Sequence, residues 1–152
     1  MKIHHVAAFL LLVPGFASAN EIDARNPDTV LTALQDLGYR ATLGSDSDGD
    51  PKVTSTIEAV NYTIFFYGCR DGLNCESIQF AAAFDVPEVL TAAMMNDWNT
   101  TKLMGEATVA DDGDPRLTFF VTTTGGLTRE NFVKIVALWG ASMSDFKDFI
   151  DW

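Results

Sequence analysis

Apolar and polar residues alternate in two rhythms along this chain, and the rhythm changes where the turn residues fall. Asn26-Pro27-Asp28 opens a helix: a capping amide, proline at the first helical position and an acid in the first turn. Val30, Leu31, Leu34 and Leu37 follow at helical spacing, and Gly38 stands where a helix ends. The period then shortens to two. Strands are expected over Tyr39 to Leu43, Lys52 to Ile57, Asn61 to Cys69 and Cys75 to Phe84. A second helix is expected after Pro87, with Leu90, Met94 and Trp98 on one face. Two strands follow, Gly105 to Ala110 and Arg116 to Thr123. Thr128 caps a last helix whose stripe is Phe132, Ile135, Val136, Trp139, Met143, Phe146 and Ile150. The order is α-ββββ-α-ββ-α. Hairpins dominate, so the fold class is α+β, a mainly antiparallel sheet with helices on one face.

A short unit occurs twice. Ala41-Thr42-Leu43-Gly44 leads into Asp48-Gly49-Asp50-Pro51-Lys52-Val53-Thr54, and Ala107-Thr108-Val109-Ala110 leads into Asp112-Gly113-Asp114-Pro115-Arg116-Leu117-Thr118. Each copy follows a helix. An ancient duplication accounts for this, and so does one favourable turn used twice.

Composition adds an address. Lys2, the apolar run Val6 to Val13 and Ala17-Ser18-Ala19 have the layout of a secretory signal peptide over residues 1–19. The run is shorter than the roughly 20 residues needed to span a bilayer. No cysteine follows the cleavage site for a lipid, so no membrane anchor is expected after cleavage. Residues 20–152 form one domain, expected to be periplasmic or secreted. Both histidines, His4 and His5, leave with the leader. So does Lys2, and nine basic residues then stand against 21 acidic ones, a net charge of −12. Such a chain repels nucleic acid, because phosphate binding needs clustered Lys and Arg.

Export also sets the chemistry of Cys69 and Cys75, the only cysteines. Two cysteines in an oxidising compartment predict a disulfide. A zinc site would need about four ligands, and no histidine remains to supply them. If Cys69 faces Cys75, Phe66 faces Ile78, Ile64 faces Phe80 and Tyr62 faces Ala82, on the pleat face turned to the helices. Phe65 and Tyr67 then share the outer face with both cysteines. They are large for a solvated surface: either other groups cover them, or they form a contact face for a partner or a second subunit.

Other chemistry is sparse. Asp46, Asp48 and Asp50 alternate as in a calcium loop. Counting from Asp46, positions six and twelve hold Pro51 and Ile57, where an EF-hand needs glycine and an acid. The competing reading is a turn. A Ser-His-Asp triad is impossible without histidine. Ser144 and Lys147 have Ser-x-x-Lys spacing but no companion motif. Asn96, Trp98 and Asn99 end the second helix, as a helix terminus with a buried indole or as a polar recognition patch. No cofactor and no catalytic residue is expected.

Taken in order, Tyr39-Arg40-Ala41-Thr42 with Asp48-Gly49-Asp50-Pro51, Phe66-Tyr67-Gly68-Cys69 with Cys75-Glu76-Ser77-Ile78-Gln79-Phe80, Met95-Asn96-Asp97-Trp98-Asn99 and Asp112-Gly113-Asp114-Pro115 resemble the YbjN family. Its members are described as bacterial sensory transduction regulators. The resemblance spans about Pro27 to Phe149. It implies a fold similar to type III secretion chaperones, a protein partner or self-association, and no catalytic residues. The chain departs from the family pattern after Asn99, where Thr100-Thr101-Lys102-Leu103-Met104 stands in place of an Arg-rich stretch. The function implied is an exported, non-enzymatic protein-binding domain, chaperone-like or regulatory. The alternative is a small-ligand or calcium-binding module using the Asp46 to Asp50 loop.

Overall fold

A computed structural model describes residues 21–152. The expected leader, residues 1–19, lies outside the described residues. Helix α1 spans Pro27–Asp36, capped by the Asn26 side chain, which accepts from the Asp28 amide. Strands β1 (Ala41–Ser45), β2 (Pro51–Ile57), β3 (Val60–Tyr67) and β4 (Ser77–Ala83) follow. Helix α2 (Ala92–Thr101), strands β5 (Glu106–Val109) and β6 (Pro115–Thr122) and helix α3 (Arg129–Ile150) complete the chain. The fold is α+β, in the expected order.

Helix α2 starts later than Pro87 suggested. Thr91 is its N-cap, accepting from the Met94 amide, and Leu90 stands outside the helix. A hydroxyl that can satisfy an orphan amide starts the helix, and the proline four residues earlier does not.

All strand pairs are antiparallel, and the sheet order is β1-β2-β3-β4-β6-β5. Hairpins join neighbours, except that α2 carries the chain past the place of β6 to the far edge. The register of the central pair is as expected: Ile64 lies opposite Phe80 and Phe66 opposite Ile78. These residues and Tyr62 are buried beneath the helices. Trp139 of α3 packs 5.6 Å from Phe80 and 6.1 Å from Tyr62, between ring centroids. Phe146 contacts both Phe84 and Trp98. Val30 and Leu34 of α1 join the same core. The helices therefore cover one face of the sheet.

The disulfide between Cys69 and Cys75 is formed, but it does not lie flat on the outer face. The Glu76 amide donates to the Tyr67 carbonyl at 2.8 Å, although Tyr67 is already paired with Ser77. Two residues thus oppose one, a β-bulge, and side-chain alternation slips by one position. Glu76 turns outward and Cys75 turns into the core, fully buried. The expected outer placement of Cys75 is corrected accordingly.

The segment before α1 is stitched to this region. Ile22 and Leu127 exchange backbone hydrogen bonds. The Ala24 amide donates to the Thr123 hydroxyl, which donates to the Glu76 carbonyl. Asp23 is buried and its carboxylate accepts from the Arg25 amide at 2.9 Å and from Arg25 Nε at 2.8 Å. The Arg25 side chain, by hydrogen bond first, holds the Asp23 carboxyl below its ordinary value of 3.8 despite burial. A depressed carboxylate stabilises the fold above its unfolded value and loses that contribution as pH falls through the folded one. Urea midpoints of wild type are therefore expected to drop below about pH 4, and Asp23→Asn is expected to lack part of that drop. Identical acid limbs in both proteins would show that Asp23 has no share in it.

Candidate interaction face

Among the described residues, nothing covers the face of the sheet turned away from the helices. Across its middle, Lys52 lies opposite Phe65, Phe65 opposite Gln79 and Gln79 opposite Phe120. Tyr67 sits one pleat along, opposite Ser77. Its ring centroid is 6.5 Å from that of Phe120, and its hydroxyl donates to Gln79 Oε1 at 3.1 Å. Tyr67 is 44% exposed and Phe120 56%, while Phe65 is half-buried. Beside this ridge runs a shallow groove with Thr63, Ala81 and Thr118 along it and Arg116 and Asn61 at its end.

The charge of this face differs from that of the whole chain. Its strand residues include Lys52 and Arg116 but a single acid, Glu106, with the outward Glu76 of the bulge at one end. The remainder are mainly threonines and the three aromatics. An acid-poor surface with exposed rings on a strongly acidic chain has the composition of a contact surface.

Phe65 and Tyr67 were expected on this face, and both lie there. Phe120 was not anticipated. Alternation in Leu117-Thr118-Phe119-Phe120-Val121 already sets Phe120 apart from Leu117, Phe119 and Val121. Its place beside Tyr67 depends on β6 pairing with β4, two strands distant in sequence.

The motif that ends α2 is a latch. Trp98 is fully buried, and its Nε1 donates to the Gly105 carbonyl at 2.6 Å. Asn99 Nδ2 donates to the Ala107 carbonyl at 3.0 Å, and the Ala107 amide donates back to Asn99 Oδ1 at 2.8 Å. Trp98 has no surface to offer a partner, and the Asn99 amide is committed to the β5 backbone. Asn96 is exposed. The structure does not join these three residues to Phe65 and Tyr67.

The aspartate loop is a turn. Asp46 Oδ1 accepts from the amides of Asp48 (3.0 Å) and Asp50 (2.9 Å). Among the described residues, no three acidic, histidine or cysteine side chains come together to hold a metal ion. Asp46, Asp48 and Asp50 are thus not assembled as a calcium site, because the loop's own amides draw in the first carboxylate. Among the described residues, no helix is long and apolar enough to cross a membrane.

Fold and face define an α+β domain that presents one uncovered sheet surface. The chain belongs to the YbjN family: the family model, described as "Putative bacterial sensory transduction regulator", matches residues 26–152. This is a regulator family and not one known for an enzymatic activity. No curated protein and no solved structure matches the chain.

Proposed function

We propose that this chain is an exported, non-enzymatic regulatory domain that binds another protein, in the manner of a chaperone, through the outer face of its sheet. The observation that carries this reading is the acid-poor ridge of Phe65, Tyr67 and Phe120, left open beside its groove. Large exposed rings at the centre of a low-charge surface are what interface hot spots are made of. Family membership supports a regulatory or binding role. The leader pattern and the closed disulfide support an oxidising compartment.

Capture from periplasmic extract tests the reading. Wild type is expected to retain a specific, stoichiometric partner. The variant Phe65→Asp/Tyr67→Asp/Phe120→Asp is expected to weaken capture by about 30-fold or more with an unchanged circular dichroism spectrum, since these side chains lie outside the core. Equal capture by the two proteins would overturn the proposal.

A further inference from the structure

The two edges of the sheet are built alike, but only one is closed. Each consists of a helix, an edge strand, an Asp-Gly-Asp-Pro turn and an inner strand. In the first turn the Asp46 amide donates to the Asp50 carbonyl and the Gly49 amide to the Asp46 carbonyl. In the second, Ala110 donates to Asp114 and Gly113 to Ala110. Both glycines have left-handed φ, +89° and +91°, which favours glycine there. Superposing the turns places Leu43 of β1 where Ala107 stands in β5.

Opposed residues in an antiparallel pair alternate between bonded and non-bonded. Asp46 bonds to Asp50, so Gly44 and Thr42 bond to β2, and the amides and carbonyls of Ala41, Leu43 and Ser45 point away from the sheet. By the same count, Ala107 points out from β5. There Asn99 occupies both of its backbone groups, standing in for a neighbouring strand. Among the described residues, Leu43 has no such plug. Helix α1 sends only Gln35, whose Nε2 donates to the Ala41 carbonyl at 3.2 Å. Thr42 to Ser45 are exposed and contain none of the lysines, prolines or bulges that usually guard an edge.

We propose that β1 pairs with β1 of a second copy of this chain, antiparallel, about a two-fold axis at Leu43. The sequence around the axis is self-complementary in that direction. Leu43 meets Leu43, Thr42 meets Gly44, Ala41 meets Ser45, and Arg40 meets Asp46. The exposed Arg40 therefore faces an acid at both ends of the pairing. Asp46 spends Oδ1 on its own turn, which leaves Oδ2 for the arginine. A parallel pairing would set Arg40 on Arg40 and Asp46 on Asp46. The joint is isologous and self-limiting, because β5, the other edge of each copy, is plugged. It is independent of the outer-face proposal.

Sedimentation velocity of the purified protein over a concentration series tests it. Wild type is expected to show a concentration-dependent dimer. Leu43→Pro removes an outward amide and no β1–β2 bond, and is expected to raise the dissociation constant by about tenfold or more. Arg40→Glu is expected to act in the same direction. Phe65→Asp/Tyr67→Asp/Phe120→Asp is expected to dimerise as wild type does. Should Leu43→Pro fail to fold, hydrogen exchange of wild type supplies the answer, because the Leu43 amide must slow as concentration rises. A wild type that stays monomeric at about 1 mM, a dimer indifferent to Leu43→Pro, or one lost only in the outer-face variant would overturn the proposal.

Discussion

Trp98→Ala is expected to destabilise the domain by about 3–5 kcal/mol and to lower its melting temperature by about 10 °C or more. Three interactions meet at this ring. It packs edge-on against Phe146, 4.9 Å between centroids, and lies 5.5 Å from Phe149. Those contacts dock α2 on α3. Its Nε1 bonds the Gly105 carbonyl, which fixes the entry to β5. Gly105 has φ +81°, and a Cβ there would come within 2.9 Å of Leu117 Cδ1. The chain therefore cannot shift easily to fill the cavity that alanine leaves. Trp98→Phe keeps most of the bulk and loses the hydrogen bond, so a cost of about 1–2 kcal/mol is expected. Urea unfolding of the three proteins checks both values. A cost below about 1 kcal/mol for the alanine variant would mean that α2 does not depend on this latch.

Removing the disulfide as Cys69→Ala/Cys75→Ala is expected to cost about 2–4 kcal/mol. Closing so short a loop restricts the unfolded chain by about 2 kcal/mol. The native state adds to this, because Cys75 is fully buried and its sulfur leaves a space in the core. The bulge at Glu76 lies directly beside this closure. Glu76 holds Thr123, and Thr123 holds Ala24, so the variant should also loosen the segment before α1. Hydrogen exchange is expected to rise at Ala24 and Glu76 well before the central strands. Unfolding of the oxidised and reduced wild type measures the cost without mutation. Equal stability of the two forms would reduce the bridge to an ornament of the loop.

The two contacts proposed, at the outer face and at the β1 edge, would lie on one sheet and are compatible. Pairing at β1 would run two sheets together and leave both outer faces open. A regulator built this way could hold its partner with two copies at once, each presenting Phe65, Tyr67 and Phe120. Linked sites raise apparent affinity without any new contact.

Most of the fold was legible in the residues because its signals are local. Asn26 and Thr128 each cap a helix through their own side chains. The stripe from Phe132 to Ile150 reports a period of 3.6, and six of its seven residues prove buried in the core while Ile135 packs against it. The register of β3 with β4 is the one the two cysteines suggest, and alternation holds within each strand, although the bulge at Glu76 breaks it between Cys75 and β4. The start of α2 was misplaced because Pro87 signals a break as readily as a beginning, whereas the cap at Thr91 decides.

The sequence by itself therefore determined the helices, the hairpins, the family and the outward placement of Phe65 and Tyr67. Tertiary structure decided the rest, wherever a group's partner is distant in the chain. Pairing of β4 with β6 brings Phe120 to Tyr67. The bulge at Glu76 turns Cys75 inward against the alternation. Docking of α2 on the sheet turns Trp98 and Asn99 from a candidate recognition patch into an edge plug, and by the same act leaves the β1 edge as the unplugged one. Periodicity reports which way a side chain points within its own element. It does not report which unpaired amide another element will satisfy, because that depends on how the elements pack.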